Sequence, residues 1–237
     1  PEDKSLKIVN IEFQYTPPHS EIVLKDVSLI IPENKITAIV GTSGSGKTTL
    51  VKLLLGFYGH YKGDILLGEN QLKNYSQEWW RSQVGAVMQD SFIFNDTIAK
   101  NIAVGQESID NQRLVEAVKV ANIREFIETL PLGYNTKIGS EGNGLSQGQK
   151  QRILIARAVY KNPQYLFFDE ATNALDANNE RIIMDNLNKF FKGRTVVIVA
   201  HRLSTVKNAD QIVVLEKGEI VETGTHEQLT NLRGVYF

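Results

Sequence analysis

A β-branched run, Lys35-Ile-Thr-Ala-Ile-Val40, passes directly into Gly41-Thr-Ser-Gly-Ser-Gly-Lys47-Thr48, and Leu50 to Leu55 then continue as a helix that stops at Gly56. Strand, glycine-rich loop and helix in that order put the loop between the carboxyl end of a strand and the amino end of a helix. The glycines let backbone N–H groups point inward around an anion, and the helix start adds its dipole. Gly-x4-Gly-Lys-Thr in this context is the phosphate-binding loop, or P-loop, of nucleoside triphosphate-binding proteins, in which Lys47 reaches the β- and γ-phosphates and Thr48 offers a hydroxyl to Mg²⁺. Thr42, Ser43, Gly44, Ser45, Gly46, Lys47, Thr48 and Thr49 are therefore expected to contact nucleotide. A tight glycine turn without a ligand is the competing reading, and the flanking strand and helix weigh against it.

The rest of the chain supplies the frame for such a loop. Val9, Ile11, Phe13 and Tyr15 alternate at period two, and Val27, Leu29 and Ile30 follow the Pro17-Pro18 interruption, so the amino-terminal part is expected to form a half-buried sheet. Leu114, Ala117, Val118 and Ala121 share one helical face, as do Ile123, Phe126, Ile127 and Leu130, with Pro131 and Gly133 as the stop. From Gln151 onward the order is helix, strand Tyr165 to Phe168, helix around Ile183, Leu187 and Phe191, and strand Val196 to Ala200, an alternation that predicts a parallel sheet. A last hairpin, Ile212 to Leu215 and Ile220 to Val221, turns at Lys217-Gly218 and leads to Thr225, whose spacing to Gln228 suits a helix capping box. At 237 residues and 42% hydrophobic, the chain can bury a substantial core. A formal charge of −1 gives no basic excess, so nucleic acid is not an expected partner. No apolar run approaches the roughly 18 residues of a membrane span, no signal segment opens the chain, and the absence of cysteine excludes disulfides and thiolate metal sites. A soluble, cytosolic domain is expected.

Two further segments carry chemistry. Tyr165-Leu-Phe-Phe168 delivers Asp169 and Glu170 to the carboxyl edge of the predicted sheet, where α/β proteins bind ligands. Asp169 can hold Mg²⁺, and Glu170 is then free to polarise an attacking water beside the γ-phosphate. In isolation the pair would be read as acidic residues at a helix start, favoured by the dipole; beside a P-loop the catalytic reading is preferred. Gly144-Leu-Ser146-Gln147-Gly148-Gln149 precedes an apolar helix containing Ile153, Leu154 and Ala156, and offers a second potential anion site. Alone, it would be an ordinary serine cap.

Together, the P-loop, Leu145-Ser-Gln-Gly-Gln149, Phe168-Asp-Glu170, Asn173-Ala-Leu-Asp176 and His201 stand in the order found in the nucleotide-binding domains of ATP-binding cassette (ABC) transporters, and the resemblance spans nearly the whole chain. It implies an α/β fold with a P-loop NTPase core and a mostly parallel sheet, an amino-terminal antiparallel β subdomain and an inserted α-helical subdomain. Residues 1–237 would form a single domain, with 1–88 and 157–237 as the core and 89–156 as the helical lobe. It also implies that Tyr15 stacks on adenine, that Gln89 meets Mg²⁺ and the transmembrane partner, and that His201 contacts the γ-phosphate and holds the catalytic geometry with Glu170. Metal contacts would come from Thr48, Gln89 and Asp169, and ATP with Mg²⁺ would be the ligands. Ser146, Gly148, Gln149 and Asp176 would face the nucleotide of a second, identical domain. Taken singly, Tyr15, Gln89 and His201 each have a plainer reading as strand aromatic, surface polar residue and strand-end residue. Two positions depart from the family pattern, Gln147 where glycine is usual and Asn173 where serine is common. Gln147 puts the dimer's ATP affinity in question.

Other P-loop classes fit less well. The Asn34-Lys35 and Asn188-Lys189 pairs lack the aspartate of a guanine-reading element, and only about a hundred residues, with no sustained heptads, separate the P-loop from Ser146, against the long coiled coil of chromosome-associated relatives. A translation-type relative would carry two cassettes. Met88-Gln-Asp-Ser-Phe-Ile-Phe94-Asn-Asp-Thr97-Ile and Thr136-Lys-Ile-Gly-Ser-Glu-Gly142 resemble the loops that exporter cassettes present to membrane helices, and Phe92-Ile-Phe94 suits a docking surface or an internal turn equally. Gly148-Gln-Lys-Gln-Arg152 and Phe168-Asp-Glu-Ala-Thr-Asn-Ala-Leu-Asp176 resemble peptide or bacteriocin secretion transporters, some of which carry a peptidase. The expectation is ATP-driven peptide export at the cytoplasmic face of the cell membrane, with lipid or drug export, or a non-transport ABC ATPase, as alternatives.

Overall fold

A computed structural model describes residues 2–140 and 144–236. They group into two compact units, one taking the chain up to Val84, Gln164–Asp169 and the part from Gly193 onward, the other Gly85–Pro163 and Glu170–Lys192. The fold is the α/β arrangement expected, with a mostly parallel sheet under the P-loop, an antiparallel sheet built largely from the amino-terminal strands, and a helical part.

In the first unit, Leu24–Ile31, Leu6–Phe13, Lys62–Leu67 and Asn70–Gln71 lie side by side in that order as an antiparallel sheet. Leu24, Val27, Leu29 and Ile31 point into the core, whereas Ile30, grouped with Val27 and Leu29 by the sequence reading, is 57% exposed because it lies on the opposite face. The strand Leu6–Phe13 departs from a simple alternation. Leu6, Ile8, Ile11 and Phe13 are buried while Val9 is exposed. The register against the neighbouring strand shifts between Ile8 and Ile11, with Asn10 at φ 49°, so a bulge inserts a residue and reverses the phase of the alternation. Gly63 closes on this bulge: a Cβ there would lie 2.4 Å from the carbonyl oxygens of Val9 and Asn10.

The larger sheet carries the parallel strands Gln211–Glu216, Ile36–Val40, Thr195–Val199 and Tyr165–Asp169 in that spatial order, with Glu219–Gly224 antiparallel beside Gln211–Glu216. Every residue of Tyr165–Asp169 and Thr195–Val199 is buried, as parallel strands covered on both faces require. The hairpin between the last two strands turns at Lys217 and Gly218, both at positive φ, and Thr225 with Gln228 forms the expected capping box of helix His226–Leu232.

The second unit is mainly helical. Helix Asn111–Val120 buries Leu114, Ala117 and Val118, and helix Arg124–Thr129 buries Ile127 and ends before Pro131. Helix Gln147–Tyr160 buries Ile153, Ile155 and Ala156 and packs on Asn111–Val120, with the Arg113 guanidinium 4.7 Å from the centre of the Tyr160 ring. Helix Ala177–Phe190 buries Ile183 and Leu187.

Candidate functional site

The register of the parallel sheet brings three strand ends to one edge. Val199 pairs with both Ile39 and Asp169, so the loop after Val40, the carboxylate of Asp169 and the segment Ala200-His201 all leave the sheet at its carboxyl side. The chain turns into helix Lys47–Leu54 through Gly46, at φ 103°, where a Cβ would lie 2.8 Å from a Leu24 methyl. A left-handed residue with no room for a side chain has to be glycine. Thr42, Ser43 and Gly44 are exposed at the top of the loop, and Ser45 and Lys47 are buried inside it. The Lys47 ammonium donates to the carbonyls of Gly41 and Thr42 at 2.8 Å each and to Ser45 Oγ at 3.3 Å. The cation is thus held by the loop it serves. The Thr48 hydroxyl donates to Asp169 Oδ2 at 2.7 Å, and Asp169 is 1% exposed.

Tyr15 belongs to the same unit. Its hydroxyl and that of Thr49 are hydrogen-bonded at 2.6 Å, and its ring stands edge-on to Phe13 and Tyr58, with centroids 5.1 and 5.5 Å away. The ring remains 42% exposed, so an aromatic surface is fixed in orientation and still accessible. His201 is exposed just past its strand.

The remaining expected site residues lie in the second unit. Glu170 is half-buried and sits at φ 53°, a left-handed conformation that costs a residue with a side chain about 1–3 kcal/mol and that clusters at functional positions. The turn after it closes with hydrogen bonds from Asn173 N to Glu170 O and from Leu175 N to Thr172 O. Asp176 caps helix Ala177–Phe190, accepting from the backbone of Asn178 and Asn179 and, at 2.6 Å, from the Asn179 amide. The Asn179 side chain, with these backbone donors, holds its carboxyl below the usual carboxylate range. Ser146 and Gln149 form a reciprocal capping box at the start of helix Gln147–Tyr160, the plainer reading of that segment in structural form. Gly148 lies under the Ala174 carbonyl, 3.3 Å from where its Cβ would be.

Gln89 is exposed and, together with Met88, Phe92, Leu145, Gln151 and Glu170, lines a cavity of about 960 Å³ within this unit. Phe92 is 63% exposed and stacks edge-on with Phe94, whose loop is braced by Arg157: the guanidinium donates to Phe92 O and Asn101 O and lies 5.0 Å from the centre of the Phe94 ring. Of the loop expected over Thr136 to Gly142, Glu141 and Gly142 lie outside the described residues. Gln151, which lies within Gly148-Gln-Lys-Gln-Arg152, carries no role that its sequence pattern assigns. Its side chain contacts Glu170 O, Asn173 and Ala174, contacts between segments nineteen to twenty-three residues apart that no local pattern announces.

A parallel sheet whose carboxyl edge gathers a Gly-x4-Gly-Lys-Thr loop and a buried aspartate defines a P-loop nucleoside triphosphatase. A family profile described as ABC transporter matches residues 24–173, well over half of the chain, and the chain belongs to that family as an ATP-binding, ATP-hydrolysing domain. It is 50% identical over 220 residues to the toxin RTX-I translocation ATP-binding protein of Actinobacillus pleuropneumoniae, covering 93% of this chain and 31% of the relative. It is 49% identical over 228 residues to the leukotoxin translocation ATP-binding protein of Mannheimia glucosida, covering 96% of this chain and 32% of that one. The chain therefore spans about a third of the length of these relatives. A bacterial Atm1-family ABC exporter with ATP bound has a similar structure, with a TM-score of 0.93 at 40% identity over 99% of this chain and 41% of the exporter chain.

Proposed function

We propose that this chain is one of two copies that bind two Mg-ATP between them and hydrolyse ATP to drive export of a peptide through an associated transmembrane domain, at the cytoplasmic face of the membrane. The observation that carries the reading is the shared carboxyl edge: the loop 41–48, the Thr48–Asp169 contact at 2.7 Å and the Ala200-His201 segment all leave the sheet on one side. Backbone N–H groups of residues 42–49 and the Lys47 ammonium bind the phosphates, and Tyr15 takes the adenine on its accessible face. Thr48 and Asp169 offer oxygen donors only, the chemistry that a hard divalent cation accepts, so they fit Mg²⁺, with the Gln89 amide as a further protein group. When bound, Mg²⁺ neutralises charge on the transferring phosphate. Glu170 accepts a proton from the attacking water at its carboxylate, and His201 holds the γ-phosphate and the geometry of that carboxylate. Ser146, Gly148, Gln149 and Asp176 complete the nucleotide pocket of the second copy.

We read residues 1–237 as one nucleotide-binding domain, with 1–88 and 157–237 as its core and 89–156 as its helical lobe. Phe92 at the rim of the 960 Å³ cavity, with Gln89 in its lining, supports docking of the transmembrane partner there. Relatives named for translocation of a toxin and a leukotoxin support a secreted polypeptide as cargo over lipid or drug.

Replacing Glu170 by Gln tests the assignment. Losing a general base removes about 10²- to 10⁴-fold of rate, so turnover should fall by at least two orders of magnitude while ATP still binds. Near-normal ATP turnover in Glu170→Gln would reject the role.

A further inference from the structure

We propose that Gln151 is a positioning residue that holds the Glu170 carboxylate in its working orientation, and that it ties this carboxylate to the helix start carrying Ser146. The inference rests on Glu170 acting as the base. Gln151 lies in the second turn of helix Gln147–Tyr160, and its amide makes three contacts with one loop: Nε2 donates to Glu170 O at 3.3 Å and to Asn173 Oδ1, and Oε1 accepts from Ala174 N at 3.0 Å. Glu170 is the loop residue at positive φ, so its peptide orientation has to be imposed by its surroundings, and the Gln151 amide grips the carbonyl of that residue.

The next helix residue secures the far end of the same loop. Arg152 Nη1 donates to Asn122 O at 2.8 Å, Asn122 donates to Asn179 Oδ1 at 2.9 Å, and Asn179 donates to the Asp176 carboxylate at 2.6 Å. Between the two grips, Gly148 lets the Ala174 carbonyl approach the first turn of the helix. Asn173 is one of the groups that Gln151 contacts: its amide oxygen accepts from the glutamine Nε2. In the proposed dimer Glu170 serves the nucleotide of its own chain and Ser146 that of the partner, so one side chain would couple the two pockets.

The test uses the 237-residue chain and compares ATP affinity with turnover. Gln151→Leu should lower turnover about 10- to 100-fold, the scale of misplacing a reacting group by about an ångström, while ATP affinity stays within about twofold. Gln151→Glu keeps the length and the acceptor for Ala174 N but loses the donor to Glu170 O, and should show the same split if the leucine variant folds poorly. Asn173→Ala alone should lose less, and Gln151→Leu with Asn173→Ala should be no worse than Gln151→Leu, because the two groups act through one contact. Turnover within twofold of the unaltered chain for both Gln151 variants, a parallel fall in affinity and turnover, or losses that multiply in the double variant would overturn the proposal. Glu170→Gln run alongside separates the two claims: if it abolishes turnover and the Gln151 variants do not, only the positioning role fails, whereas if it leaves turnover intact, the reading of Glu170 as base fails first.

Discussion

Lys47 and Gly46 show how little freedom the phosphate loop has. Lys47 is 6% exposed, and its ammonium is already ordered by two loop carbonyls, so the cation is presented without a search through rotamers. Hydrogen bonds to charged groups contribute about 1.5–3 kcal/mol, and Lys47→Ala should weaken ATP affinity about ten- to a hundredfold in a binding titration; unchanged affinity would contradict the P-loop assignment. Gly46→Ala asks a residue with a Cβ to hold φ 103° with a Leu24 methyl 2.8 Å away. Left-handed backbone costs such a residue about 1–2 kcal/mol before the clash is counted, so a lower melting temperature and weaker ATP binding are expected together.

At the scale of elements, the caps separate structural from functional use of the same motif. Thr225 and Ser146 both form capping boxes, and replacing either by Ala should cost about 0.5–2 kcal/mol, a few degrees of melting temperature in a chain of this size. Only Ser146→Ala should also depress ATP turnover, because only Ser146 is proposed to face nucleotide; equal turnover in the two variants would count against that. Asp176 adds a pH dependence. Its folded pKa lies below the ordinary value, so its contribution to stability is present above that value and is lost as pH falls through the lower one, and Asp176→Asn should flatten this acid-side loss in thermal unfolding. Most elements could be read from the sequence because their signals are local: Leu114, Ala117 and Val118 at helical spacing, four apolar residues, Tyr165 to Phe168, before Asp169, and Lys217-Gly218 at the hairpin. The bulge at Asn10 could not, since it depends on how Leu6–Phe13 pairs with Leu24–Ile31, and so Val9 lies on the face opposite Ile11 and Phe13 despite the simple period-two spacing. The site divides in the same way. Gly41 to Thr48 and Asp169 announce themselves by spacing, whereas the Tyr15–Thr49 hydroxyl pair and the reach of Gln151 to Glu170 exist only after folding.

At the scale of the whole molecule, the chain has two helix starts proposed to hold nucleotide phosphate, one after Gly46 and one at Ser146, and a single proposed base. Among the described residues no helix is long and apolar enough to cross a membrane, and the chain spans about a third of its toxin-translocating relatives. A protein of this design should work as a pair, with each nucleotide held by the P-loop of one copy and the Ser146 segment of the other. ATP turnover per chain, measured across a wide range of chain concentrations at saturating Mg-ATP, tests this most directly. Specific activity should rise with concentration and level off as pairs form. Specific activity that stays constant down to concentrations at which the chain is demonstrably monomeric would contradict it.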